Sequence, residues 1–534
     1  MRKYVLKRII LGLVSFFIVV GTVMIFTYSL IDRRSIFAND PSYNKYQNNE
    51  KVIYENNRYQ QFGYLRYFTY SSYINAKYAD DPDNPQLEID KSAIYEKSDF
   101  TVDKKEDNVL RNYKGDNQSV KEFIDYYQSN GYTLRYLAPM YAGETLYSFP
   151  YFIAQKDLSV FERLGNYFGN LISFETIFDV QDERITDRYM KWEWDVRSNM
   201  PALIGNGTKH KYLIYFDNQF PYVHQNIVHI NLGISVSLYT DAEIYQKITG
   251  SQGEIVKSDQ LYPVEIATGE TFEHDATAFD FHTVTFGYGK PTEVQTMMYG
   301  DDPYNNAIQY KDGISMIGNS FIVGIIATFV AYIVGLPVGI WMARRKDKLF
   351  DKIGNLYIIF IMAVPSLAYI FIFAFIGTRA FNLPYKFANA TIPILGYILP
   401  MISLALPSIG GLMKWMRRYM IDQMNSDYVK FARSQGLSEG EIFAKHISPN
   451  AFIYLVHSIP IDILVCLTGA IITESVYSLP GVGRLLTNGI QKFDNSVIIA
   501  CTVFYTTLSI IALILGDLLL AKYDPRISFT EGGN

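Results

Sequence analysis

The chain alternates between long uncharged apolar stretches and one long polar stretch. Residues 9–31 run without a charge, directly after Arg2, Lys3, Lys7 and Arg8. At 1.5 Å per helical residue, such a run crosses a hydrocarbon layer of ~30 Å. It exceeds the apolar part of an ordinary leader and no small-x-small cleavage site follows, so a retained anchor with its N-terminus inside is expected. After Gly313 the apolar runs return in series, at 314–342, 354–376, 392–413, 451–472 and 497–520. With the anchor they predict six transmembrane helices, an all-α polytopic membrane domain.

The polar stretch, 35–310, changes character along its length. Residues 41–188 carry mixed charge and helix-like segments such as 120–129. Later, 211–216, 227–238 and 279–287 set β-branched and aromatic residues between Gly, Asn and Asp, which is the pattern of strands. The expected organisation is an N-terminal transmembrane helix at 1–34, an inserted extracellular α+β domain at 35–310, a membrane core at 311–527 and a cytoplasmic tail at 528–534.

Between the third and fourth core runs lies a polar, basic island, 425–450. Asp427 is placed to cap a short helix whose Tyr428, Phe431, Ala432 and Gln435 fall at i, i+3, i+4 and i+7, and Gly436 suits the left-handed residue ending it. Ser438 and Glu441 make a capping box for a second helix, flanked by Leu437 and Ile442 at the staple positions. Pro449 is expected to close the unit. Two short helices meeting at a sharp Gly436-Leu437 corner form a shape suited to a partner's groove.

Charge fixes the sidedness. The chain has a formal net charge of −5, divided into −15 over residues 35–310 and +10 over the remainder. With the N-terminus inside, the loop 343–352 with Arg344, Arg345, Lys346, Lys348 and Lys352 falls on the cytoplasmic side. So does 414–449, with Lys414, Arg417, Arg418, Lys430, Arg433 and Lys445, and so do Lys522 and Arg526. Every basic loop lands on one side, as the positive-inside rule requires, and these charges do not imply nucleic acid. Both cysteines, Cys466 and Cys501, lie in apolar runs, so the polar domain has no disulfide framework; this is compatible with a Gram-positive surface.

The polar domain offers little catalytic chemistry. His224 with His229, and His274 with His282, have no third ligand at metal spacing. Gly289-Lys290 is followed by Pro291 and preceded by Val284 where a phosphate loop needs its first glycine, and no such loop occurs elsewhere. A transport role rather than an enzymatic one is expected. In the core, Pro365, Pro393, Pro400, Pro407 and Pro460 break or bend the spans, and Gly335, Gly339, Gly396, Gly410 and Gly411 let helices approach closely. Asp462, deep in the fifth span with His457 about one turn away, is read either as lining a pathway or as hydrogen-bonding a neighbouring helix.

The island's Asp427-Tyr428-Val429-Lys430-x-Ala432-Arg433-x-x-Gly436-Leu437 resembles the EAA loop of ABC importer permeases, with Lys430-Phe431-Ala432 where other members have Glu-Ala-Ala. Gly335-Leu336-Pro337-x-Gly339, Val364-Pro365-Ser366, Glu474 followed by Pro480-Gly481-Val482-Gly483-Arg484, and Asp517 with Asp524-Pro525-Arg526 extend the match over most of 314–527. In particular the chain resembles the oligopeptide-importing OppB/DppB branch, and its insertion resembles that of Gram-positive AmiC/OppB-type members. The resemblance implies a type I ABC importer fold, with Asp427, Tyr428, Phe431, Ala432, Arg433, Gly436, Leu437, Ser438 and Glu441 coupling to ATPases. Asp462, His457, Glu474 and Pro365 are pathway candidates. It further implies a second, OppC-type permease, two OppD/OppF-type ATPases that use ATP and magnesium while this chain binds no cofactor, an extracellular peptide-binding lipoprotein, peptides as cargo and contact with membrane lipid. The alternative is an ABC-type mechanotransmission or lipoprotein-release subunit, which also carries a large external domain but has four spans and no such loop.

Overall fold

The computed structural model describes residues 2–523 except 41, 180, 182–184, 196–197, 217–222, 236–241, 251–260, 266–270, 276–283, 288–303 and 307–313. His282, Gly289-Lys290-Pro291, Asp524-Pro525-Arg526 and the tail 528–534 lie outside the described residues, as does the side chain of His274.

Among the described residues five helices are long and apolar enough to cross a membrane, or up to six if one bent pair counts as a single span. Helix α1 (Arg2–Leu30) precedes the polar region, within which α2 (Val160–Asn170) is the amphipathic helix that packs back onto it through Phe168. The core then runs α3 (Met316–Arg344), α4 (Leu349–Ala363), α5 (Ser366–Phe381) and α6 (Pro393–Met424). After the short α7 (Asp427–Ser434) come α8 (Ser448–Val456), α9 (Ile459–Tyr477), α10 (Val482–Gln491) and α11 (Asn495–Tyr523).

Two spans differ from their expected form. The run 354–376 is not one straight helix: α4 and α5 meet at 113° around Val364-Pro365. Pro365 has no N–H to donate and holds Val364 in an extended conformation (φ −82°, ψ 129°), which ends α4. The run 451–472 is likewise divided between α8 and α9 at His457-Ser458. By contrast α6 continues well past the expected end at 413, although it carries Pro400 and Pro407 internally.

The most extensive helix contact is α3 on α6. A Cβ at Gly339 would stand 3.0 Å from both the Met413 carbonyl and the Met416 Cβ, so the glycine sets the distance at which these backbones approach. On the other side, α11 packs on α1 and Arg8 pairs with Asp517 at 3.0 Å.

Within 41–188 the helix-like reading covers only part of the fold. The helix Gln118–Ser129 is present and is capped by Asn117. Among the strands that accompany it are β1 (Leu65–Thr69), β2 (Phe100–Asp103), β3 (Val109–Tyr113), β4 (Thr133–Leu137) and β5 (Tyr151–Asp157). They form one antiparallel sheet ordered β1-β5-β4-β3-β2. Both faces are covered. Phe152 and Ala154 pack with Tyr70, Phe123 and Tyr136, while Ile153 points to the opposite side among Ile36, Tyr59 and Tyr64. A strand buried on both faces shows no hydrophobic alternation, so its period is lost from the sequence.

Further along are β6 (Ile172–Phe174), β7 (Met190–Asp195), β8 (Met200–Gly205), β9 (Tyr212–Phe216), β10 (Val223–Gln225) and β11 (Val228–Ile230). The sheet order β10-β9-β8-β7 stands beside the β11-β6 pair. An apolar cluster of Val20, Leu171, Leu232, Ile244, Met316, Leu485 and Val497 joins this region to the helices. Two buried hydrogen bonds reinforce it: Ser235 Oγ to Asp494 at 2.6 Å, and Asn495 Nδ2 to the Tyr64 hydroxyl at 2.6 Å.

Candidate functional site

The polar island folds as a helix corner. Gly436 has φ +82°; the Leu437 N–H reaches the Ala432 carbonyl at 3.3 Å and the Gly436 N–H reaches Arg433 at 3.0 Å, together a Schellman ending of α7. The Ser438–Glu441 box is complete in both directions. Leu437 packs with Ile442 in the cluster of Met416, Met420, Val429, Ala432, Phe443, Ile447 and Leu455.

Three expectations for the corner are corrected. Ser426, not Asp427, is the N-cap; Asp427 is the first helical residue and pairs with Lys430 at 2.8 Å. The buried face is Val429 and Ala432, whereas Tyr428 is half-buried, Gln435 is exposed and Phe431 is 64% exposed. Two turns need only two inward positions, which leaves an aromatic ring on the outside. Pro449 does not close the unit: the chain stays helical from Glu439 through a π turn at Ile442–Ile447 into α8. Ser448 there reaches back five residues, to Phe443. A widened turn accommodates a proline that has no N–H and would crowd the carbonyl four residues earlier. Arg433 also spans the corner to Glu439 at 2.7 Å.

A cavity of about 580 Å³ opens between α3, α5, α6, α8 and α9. Asp462 and His457 both line it. Asp462 accepts hydrogen bonds from the Tyr332 hydroxyl of α3 at 2.6 Å and from Ser458 Oγ at 3.2 Å, the bond to a neighbouring helix that the sequence reading offered as one of its two alternatives. Pro365 and Glu474 do not line it. Pro365 supplies the α4–α5 break, and the wall there is Ser366, Tyr369 and Ile370. Glu474 is fully buried: it accepts Ser320 Oγ at 2.7 Å and the Arg484 N–H at 3.0 Å, and it fills the space beside Gly481 that a Cβ would need. Its carboxylate holds the Pro480–Arg484 loop onto α3 and α9 instead. Leu455 and Tyr419 belong at once to the cavity wall and to the packing around the corner.

Beside this end of α6, Arg417 makes a two-pronged ion pair with Asp351 of α4, at 2.6 and 2.7 Å, with Asp351 buried. Removing one partner strands the other charge. Arg417→Met is expected to cost about 3 kcal/mol, the lower end for a broken buried pair because Arg417 is partly exposed. A double change to Met and Leu should recover most of that. Thermal unfolding in detergent checks both; an Arg417→Met chain as stable as the parent would contradict the assignment.

Sequence spacing did not reveal one cluster in the polar region. Glu175, His210 and His229 place ligand atoms within 4.8 Å of one another. Oε2 of Glu175 lies 2.9 Å from His210 Nδ1 and 2.7 Å from His229 Nε2, while Oε1 accepts the His210 backbone N–H. Burial raises the Glu175 carboxyl pKa, but the hydrogen bonds from the two histidines outweigh it and hold the group at about 2. His224, paired with His229 in the sequence reading, stacks on Tyr215 instead. Along the chain Glu175 is 54 residues from His229 and 35 from His210, beyond any local motif.

Up to six apolar crossings, a broken third span and a cavity beside a capped helix corner define a helical membrane permease. The crossings exceed the four of a release-type subunit. Residues 335–529 match the family described as binding-protein-dependent transport system inner membrane component. Over 548 aligned positions the chain is 33% identical to the oligopeptide transport system permease protein AmiC of Streptococcus pneumoniae, covering 100% of both. It is 30% identical over 217 residues to the dipeptide transport system permease protein DppB of Bacillus subtilis, covering 40% of this chain and 69% of that one. Among solved structures, the inward-facing MetNI methionine ABC transporter aligns at 13% identity with a TM-score of 0.32, over 39% of this chain and 93% of that one. The chain belongs to the ABC importer permeases of the OppB/DppB type.

Proposed function

We propose that this chain is the permease subunit of an ATP-driven oligopeptide importer, enclosing the pathway with a second, OppC-type permease. Two OppD/OppF-type ATPases dock from the cytoplasm, where both termini lie, on the two coupling loops, 414–449 here and its counterpart in the second permease, and a lipoprotein delivers peptides from outside. The insertion 35–310 stands on the extracellular face and serves as its docking or gating module. ATP and magnesium belong to the ATPases.

The observation that carries this reading is the shared packing of Leu455 and Tyr419, which belong to the corner and to the cavity wall at once. Displacing the corner therefore displaces the wall. The outward Phe431 is the side chain the ATPase groove receives. Closure of the ATPases on ATP pulls the corner, and α6 and α8 carry the movement to the cavity, so the two access states are biased by partner contacts made at the corner.

Purification from its own membrane is expected to bring down one second permease and two ATPases. The reconstituted complex should accumulate labelled oligopeptides only with ATP and the binding lipoprotein. A chain that purifies alone, or a complex that moves lipoprotein rather than peptide, would overturn the reading.

A further inference from the structure

The Glu175, His210 and His229 cluster joins three separate pieces of chain. Glu175 follows β6, His229 lies on the paired strand β11, and His210 sits in the turn between β8 and β9. Glu175 is 4% exposed, and the two imidazole rings stack at 22° with centroids 5.3 Å apart. Both ring nitrogens meet the same carboxylate oxygen, Oε2, while Oε1 accepts the His210 backbone N–H. Three donor atoms from separate pieces of chain thus lie within 4.8 Å of one another, close enough to be drawn around one ion.

Two imidazole nitrogens and one carboxylate oxygen are the donors that zinc and its borderline neighbours take in three-ligand sites, with a fourth position left open. Around a tetrahedral ion with bonds of ~2.0–2.1 Å, ligand atoms stand roughly 3.3 Å apart. The ring-to-carboxylate distances of 2.9 and 2.7 Å need to open by only about half an ångström, a rotamer adjustment. The His229 side chain is 35% exposed, so an ion and a water ligand can enter from that side.

We propose that Glu175, His210 and His229 bind one divalent transition-metal ion of the zinc class, which staples the β6–β11 pair to the β8–β9 hairpin. To ligate, each imidazole presents a lone pair where it now faces the carboxylate, its proton moving to the far ring nitrogen. The site is independent of the coupling corner and of the cavity.

The test uses the full-length chain with its co-purifying subunits in detergent, stripped with chelator and titrated with Zn²⁺ and with Co²⁺. Expected are about one metal per copy of this chain above any bound by its partners, cobalt absorption bands of a four-coordinate N/O site, and an unfolding midpoint that rises with zinc concentration. His229→Ala and Glu175→Gln should each weaken binding at least about tenfold, the smaller effect known for loss of even a supporting partner. His229 is partly exposed, so its variant tests the site if Glu175→Gln fails to fold, and the cobalt spectrum of the unaltered chain requires no variant. Zinc uptake unchanged in His229→Ala, or no metal on the unaltered chain at saturating zinc, would show a hydrogen-bonded lock only and overturn the proposal.

Discussion

Gly436→Val is expected to reduce peptide uptake by more than about tenfold while the chain still reaches the membrane in near-normal amount. No atom lies within 4 Å of where a Cβ would be, so the defect is one of backbone rather than space. At φ +82° a β-branched residue is strained by about 1–3 kcal/mol. The corner can relieve this by opening its Schellman turn, which swings the Ser438 cap away from α7. Leu437 and Ile442 would then no longer share the packing that reaches Leu455. A tenfold change corresponds to about 1.4 kcal/mol, inside the range of strain available. Gly436→Asn, whose side chain tolerates the left-handed region, should fall between the two. Uptake and ATPase stimulation are measured beside membrane abundance; normal values of both in the valine variant would remove the coupling role.

Glu474→Ala is expected to act on folding instead. It leaves Ser320 Oγ and the Arg484 N–H without their buried acceptor and opens a void beside Gly481 and Gly483. Unsatisfied buried donors cost about 1–3 kcal/mol each, so a total of about 3–5 kcal/mol with the void is expected, enough to deplete the folded chain. Glu474→Gln retains one accepting oxygen but turns an amide donor toward other donors, and should be intermediate. Fluorescence-detected size exclusion of membrane extracts reads the folded amount. A Glu474→Ala chain at full abundance with impaired transport would return this residue to the pathway.

The sequence was most legible where one local force dominates. Hydrocarbon thickness sets the length of the spans, and the freedom of a residue without a Cβ to adopt positive φ, with the Ser438–Glu441 box, sets the corner, so both were read from neighbouring residues. Misreadings came where neighbours in space are distant in sequence. The burial of the pathway candidate Glu474 could not be foreseen, because its partner Ser320 is 154 residues away. The five-stranded sheet was hidden in part because its strand β5 is apolar on both faces at Phe152–Ala154. At Pro365 a proline was visible, but the size of the bend depends on what α5 packs against, and Tyr369 and Ile370 find that partner in Leu399 of α6 and Tyr477 of α9.

The hydrogen bond from Asn495 to Tyr64 joins residues 431 positions apart, and Ser235 meets Asp494 across 259. Chains emerge from the ribosome N-terminus first, at about 5–20 residues per second, so Tyr64 waits some 20–90 seconds for its partner. Through that interval the base of the polar region presents an unfinished surface to its surroundings. Completion of this contact is thus timed by the start of α11, and a transcript cut short before it would yield a product whose earlier-made parts have nowhere to seat.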